Sequence, residues 1–121
     1  KNDGSDTDFD RRAGDHHDGM EWFSLSANGR PSASYSARGL LAVNHEYVVA
    51  PYGLHPNGQT PGLTRVASEV EKEIYAHGVS ICEVKRGTTG TDMGMVRGSR
   101  YNRRVHSATP MALGSPVVPE L

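Results

Sequence analysis

The sequence predicts a mainly β fold with one helix. Two observations carry this reading: short apolar runs of strand length set between turn-forming residues, and a single stretch in which valine and isoleucine recur every four residues. A third observation concerns size. Ile, Leu, Val and Phe make up 22 of the 121 residues, below the roughly 20% that accompanies a self-sufficient core. The chain therefore reads as part of a larger folded body, truncated at both ends.

In chain order, residues 1–18 hold six of the seven aspartates, with only Phe9 and Ala13 as apolar members, and read as an Asp-rich loop or tail. Met20 to Leu25 suits a strand, with Met20 and Trp22 facing one way and Phe23 and Leu25 the other. After a Ser/Asn/Gly/Pro loop to Arg38, the run Leu40 to Asn44 lacks alternation and is expected as a central strand covered on both faces. Tyr52 to Thr64 is a Gly- and Pro-rich connection.

The helix is expected over Arg65 to His77. Val66, Val70 and Ile74 share one face there, which should pack against the sheet. Ser68 and Glu71 offer a capping box, His77 complements the helix dipole, and Gly78 suits the left-handed residue after the helix. Val79 to Lys85, β-branched at Val79, Ile81 and Val84, is the next strand, and Met95 to Arg97 its hairpin return across a Gly/Thr turn. Residues 98–121 carry no strong element, and no internal repeat is present.

Composition excludes several functions. A formal charge of −1 removes the case for a general nucleic-acid binder. No apolar run approaches the ~18 residues of a membrane span, and no signal-peptide pattern opens the chain. The single cysteine, Cys82, rules out an internal disulfide and the usual zinc patterns, and reads as a packed small hydrophobe. His45-Glu46 lacks the second histidine of a zincin, since Val49 stands in its place. Gly53 to Gly58 has P-loop spacing but is followed by Gln59-Thr60.

Two compact clusters remain: Asp15-His16-His17-Asp18 before the first strand and Asn44-His45-Glu46 after the second. His16, His17, Asp18, Asn44, His45 and Glu46 are the candidate metal ligands, because carboxylate and amide oxygens suit calcium while imidazole with carboxylate suits iron or zinc. Solvated turn residues are the alternative. A third cluster, Arg97, Arg100, Arg103 and Arg104, has Lys85 and Arg86 nearby and only Asp92 opposing it. Guanidinium matches phosphate bidentately, which makes Arg100, Arg103 and Arg104 candidate substrate contacts. The alternative is a solvated cationic loop paired with the Asp-rich segment.

The ordered series His16-His17-Asp18-Gly19-Met20, Asn44-His45-Glu46-Tyr47, Leu54-His55-Pro56, Glu69-Val70 through Ala76-His77-Gly78-Val79-Ser80, and Arg100-Tyr101-Asn102-Arg103-Arg104 with Thr109-Pro110-Met111 resembles the N-terminal part of the PhoX-type bacterial alkaline phosphatases. The likeness runs from about residue 14 to 111. It implies a periplasmic or secreted β-propeller enzyme that uses calcium and iron to hydrolyse phosphate esters, with residues 19–121 an incomplete propeller segment. A blade takes ~40–45 residues, so the chain supplies fewer than three, and the remaining blades are its implied partners. Cys82 lacks the local context of the family's metal-binding cysteine. The function expected is thus that of a fragment of a metal-dependent phosphatase, inactive alone, with Glu46 the leading ligand. A non-enzymatic module that binds metal or phosphate is the competing reading.

Overall fold

The computed structural model describes residues 8–14, 16–48, 54–55, 66–88 and 91–112. After a short 3-10 turn at Phe9–Arg11 come β1 (Met20–Ser24), β2 (Arg38–His45), α1 (Ala67–Ala76), β3 (Gly78–Arg86), β4 (Met93–Met95) and β5 (Arg103–His106). The strands form one antiparallel sheet in the order β1-β2-β3-β4, with β5 also pairing to β3. The mainly β fold with one helix is as the sequence predicts.

β3 is the central strand. Its full length pairs with β2, from Gly78 opposite His45 to Lys85 opposite Arg38. Its other edge is shared: residues 78–81 pair with β5 and residues 84–86 with β4. Between those two ladders the backbone of Glu83 is satisfied from the intervening loop. Asn102 Oδ1 accepts the Glu83 N–H at 2.7 Å, Asn102 Nδ2 donates to the Val96 carbonyl at 2.8 Å, and the Val96 N–H donates to the Glu83 carbonyl at 2.8 Å. One carboxamide stands in for a missing stretch of strand.

β4 lies two residues before the expected hairpin return, and β5 falls in a stretch where no element was expected. Arg103-Arg104-Val105-His106 holds a single apolar β-branched residue, so its strand state comes from pairing with β3 and from its arginine contacts, not from local propensity.

The helix shows a larger departure. Val66, Val70 and Ile74 are 50%, 40% and 42% exposed, so the apolar stripe does not pack on the sheet. Polar groups near the C-terminus hold α1 instead. Arg104 donates to the carbonyls of Tyr75, Ala76 and His77 at 2.9–3.1 Å, His55 Nε2 meets Glu73 Oε1 at 2.9 Å, and the Tyr75 ring lies edge-on to His106 with centroids 4.5 Å apart. The capping box is also absent, because the helix starts at Ala67 with Val66 as its uncapped N-cap. Gly78 has φ +126° and opens β3; a Cβ there would overlap the Val105 carbonyl, so the close approach of β5 requires glycine.

Only Leu25 and Ala76 are buried apolar residues among those described, and β2 is half-buried along most of its length. A buried ion pair supplies order at one end of the sheet. Glu83, 3% exposed, takes Arg38 Nε on Oε1 at 2.7 Å and the Ser99 hydroxyl on Oε2. The Ser99 hydrogen bond, followed by Arg38, holds its carboxyl below the usual carboxylate range against the opposing effect of burial. Arg38 also donates to the Ala27 carbonyl at 2.6 Å, and Tyr101 donates to the Gly29 carbonyl at 3.2 Å, so the β1–β2 and β4–β5 loops are tied together.

These contacts reverse the stability ranking that the sequence suggests. Asn102→Ala strips the partner from a main-chain N–H inside the sheet and is expected to cost about 1–3 kcal/mol. Val70→Asp, on a surface stripe, should fall within about 0.5 kcal/mol of the parent. Thermal or urea melts followed by circular dichroism compare the two directly; a larger loss in Val70→Asp would mean that the stripe is packed.

Candidate functional site

Antiparallel pairing of β1 with β2 places Met20 opposite Val43, so the residues before β1 and after β2 emerge at the same end of the sheet. The ladder continues one step further: the Asn44 N–H donates to the Gly19 carbonyl at 2.9 Å. Asn44 Oδ1 accepts the backbone N–H groups of Asp18 at 2.9 Å and Gly19 at 2.8 Å, which uses both of its lone pairs. The Glu46 N–H donates to the His16 carbonyl at 3.1 Å. His16 sits at φ +45°, in the left-handed region, a conformation that costs a non-glycine residue roughly 1–2 kcal/mol. That turn sets the His16 ring edge-on to Tyr47, with centroids 5.3 Å apart.

The result is an open cleft of about 540 Å³ lined by His16, His17, Asp18, Glu46 and Tyr47. Asp18 and Glu46 are both exposed to it. Their carboxylates are hard oxygen donors of the kind calcium takes, and the two imidazoles add nitrogen donors suited to iron. Among the described residues no group of three or more His, Cys, Asp or Glu is gathered closely enough to hold a metal ion. Two carboxylates and two imidazoles thus face one open cleft.

Two of the six candidate residues do not line the cleft. Asn44 is a turn clamp, its amide oxygen fully engaged by the backbone that carries Asp18. His45 points into the structure: it is 3% exposed, Nε2 lies 2.6 Å from Ser80 Oγ, and the His17 ring packs edge-on against it at 4.7 Å. Burial foremost, then the positive charge of Arg104 and the neighbouring His17, lowers its pKa from 6.5 to about 4, so the ring is neutral at physiological pH. Its Nδ1 is buried without a hydrogen-bond partner among the described residues. Tyr47 is the cleft residue missed as a site candidate. Its position directly after Glu46, at the end of a strand, was the available signal.

The arginine cluster does not converge on the cleft. Arg100 is exposed, its Nη2 donating to Tyr101 Oη at 2.8 Å, a contact that raises its pKa. Through Tyr101 and Gly29 it belongs to the Arg38 end of the sheet, while the cleft lies at the His45 end. The eight residues of β2 separate those ends, about 23 Å at 3.3 Å per residue. Arg103 is exposed and borders a second hollow of about 460 Å³ with Asp10, Arg11, Ile81, half-buried Cys82 and Met95. Arg104 is turned inward: Nε donates to the Arg12 carbonyl, Nη1 to those of Val79 and Val105, and Nη2 to those of Tyr75, Ala76 and His77. Burial lowers its pKa.

Comparison with known proteins gives first a class, the alkaline phosphatases, through a family model that matches residues 1–119. The chain belongs to the PhoX alkaline phosphatase family. Among solved structures it is similar to Pseudomonas fluorescens PhoX in complex with vanadate, a transition state analogue, with 35% sequence identity and a TM-score of 0.62. That match covers 81% of this chain and 15% of the other, so the sheet corresponds to a fragment of a propeller enzyme. No curated protein matches.

The environment of His45 makes stability depend on pH with a defined sign. Its folded pKa of about 4 lies below the unfolded value of 6.5, so between these values the unfolded chain takes up a proton that the folded chain refuses. Stability from this group is fully present above about pH 6.5 and is lost as pH falls toward about 4. Urea midpoints measured at steps across this range should decline, and His45→Gln should flatten the decline above pH 5, where Glu83 remains ionised. An unchanged slope in the variant would remove His45 as the cause.

Proposed function

We propose that this segment forms part of the metal centre of a phosphatase that hydrolyses phosphate esters, with Asp18 and Glu46 as its oxygen ligands. The observation that carries the reading is the convergence of both carboxylates on one open cleft, in a chain of the PhoX alkaline phosphatase family. Glu46 is the leading ligand, since a carboxylate brings charge and up to two oxygens. His16 and His17 stand beside it as nitrogen donors, whereas Asn44 and His45 act through the backbone and packing that orient the cleft.

Calcium and iron are the metals proposed, and when bound they would polarise a phosphoryl oxygen and lower the pKa of a coordinated water. The protein's own share is positional. The Asn44 clamp fixes the Asp18 turn, and the His16 carbonyl fixes the start of the Glu46 segment. Arg97, Arg100 and Arg103 are the exposed members of the cluster and stand apart from the cleft, so a phosphate held there would be gripped by groups other than these arginines. A periplasmic or secreted location accords with the resemblance. The competing reading is a non-enzymatic module that binds metal or phosphate without turnover.

Two measurements bear on these readings. Glu46→Gln in the full-length protein should lower metal content or turnover ~10–100-fold; parent-like values of both would return Glu46 to a structural role. The 121-residue chain alone, supplied with calcium and iron, should show no turnover of p-nitrophenyl phosphate, because the donors required must be held within about 0.5 Å and the described set is incomplete. Metal binding by the chain together with an inactive full-length protein would support the binding module.

A further inference from the structure

We infer that Arg104 is a positioning residue of the metal cleft and not a contact for substrate phosphate. The inference rests on the proposed metal-centre reading for its function and on independent geometry for its residue. All three guanidinium nitrogens of Arg104 donate to main-chain carbonyls, six in total, at Arg12, Tyr75, Ala76, His77, Val79 and Val105. A guanidinium has five N–H donors. With six acceptors around them, none is left to grip a phosphate.

Those six carbonyls tie together the segment after the 3-10 turn, the end of α1, β3 and β5, the last two of which pack behind the β1–β2 hairpin that carries the cleft through the β2–β3 ladder. Arg12 belongs to the segment leading to His16 and His17. Tyr75, Ala76 and His77 are the C-terminal carbonyls of α1, where a cation also complements the helix dipole. Val79 lies on β3 beside Gly78, the residue paired with His45. Val105 lies on β5. His45 in turn is adjacent to Glu46 and is fixed by Ser80, the residue opposite Arg104 in the β3–β5 ladder.

The helix needs this joint because its apolar stripe faces outward, so its docking depends on polar contacts at its last turn. Gly78 leaves room for the guanidinium as well, since a Cβ there would come within 2.9 Å of Nη1. Lysine cannot replace such a residue. Its ammonium carries three donors at one point, whereas the planar fork reaches three directions at once. Loss of the fork should loosen the end of β2 from which Glu46 projects, while the substrate-facing groups stay as they were.

The test is Arg104→Lys in the full-length protein, with turnover of p-nitrophenyl phosphate measured against both ester and calcium concentration. The expected result is a rise of ~10-fold or more in the calcium needed for half-maximal turnover, recovery at saturating calcium, and an unchanged KM for the ester. A raised KM with unchanged calcium dependence would make Arg104 a phosphate clamp, and a loss of turnover insensitive to calcium would make its role structural only; either overturns the inference. If the parent shows no metal-dependent turnover, the functional reading fails. Amide exchange then decides the residue's role, faster exchange at Glu46 in the variant supporting the joint and unchanged exchange overturning it. If the variant does not fold, inorganic phosphate is titrated into the parent chain while the Arg104 Nε–H resonance is followed: a shift overturns the inference, and its absence supports it.

Discussion

β3 is one strand with three partners, and the rest of the structure depends on satisfying its second edge. On one side β2 matches it almost end to end. On the other, β5 and β4 each cover part of it and leave Glu83 between them. A main-chain N–H and C=O stranded at that point would carry the full penalty of desolvated polar groups. Asn102 and Val96 remove the penalty, and in doing so they dictate the path of the β4–β5 loop. That path delivers Ser99 to the Glu83 carboxylate and Tyr101 to the Gly29 carbonyl. Arg38 completes the arrangement from β2.

The two ends of the sheet are held by different chemistry. Around Arg38 and Glu83 the restraint is a buried ion pair with a hydroxyl, a setting in which removing one partner leaves a charge exposed to low dielectric. Around the cleft it is a set of hydrogen bonds between side chains and backbone: Asn44 to the Asp18 turn and Arg104 to the helix terminus and neighbouring strands. Neither end relies on a large apolar core, consistent with a segment whose buried apolar residues among those described are only Leu25 and Ala76. The side chains that face the cleft remain accessible because the groups that fix them work through the backbone.

Strand and helix positions were legible in the sequence because run length and spacing report them directly, as in Leu40 to Asn44 and Val66 to Ile74. The docking of the helix was not legible. A four-residue apolar spacing says which residues share a face, but not which face the neighbouring elements cover, and here Arg104, His55 and Tyr75 decided that question. β5 was hidden for a related reason, since its pairing is written in β3. At the site, the clusters around Asp18 and Glu46 were visible as residue types. Side-chain commitments were not: nothing in the string distinguishes Asn44, whose oxygen is engaged by two backbone groups, or the inward Arg104, from their outward neighbours Glu46 and Arg103. The resemblance to a family, carried by several motifs in order, reached further than any one of them.

The register between His45 and Gly78 also governs the order in which the parts can assemble. Ser24 meets Gly39 and Arg86 meets Met93 across short stretches of chain, so each of those hairpins closes with little loss of chain entropy, whereas joining β2 to β3 closes a connection of more than thirty residues. Every residue lining the cleft, from His16 to Tyr47, belongs to the first hairpin and its flanks. The acidic mouth can therefore begin to form on a local hairpin, while its final geometry waits on β3, whose Ser80 fixes His45 beside Glu46. A cation captured at that stage would add its binding free energy to an early species and favour docking of the remaining strands.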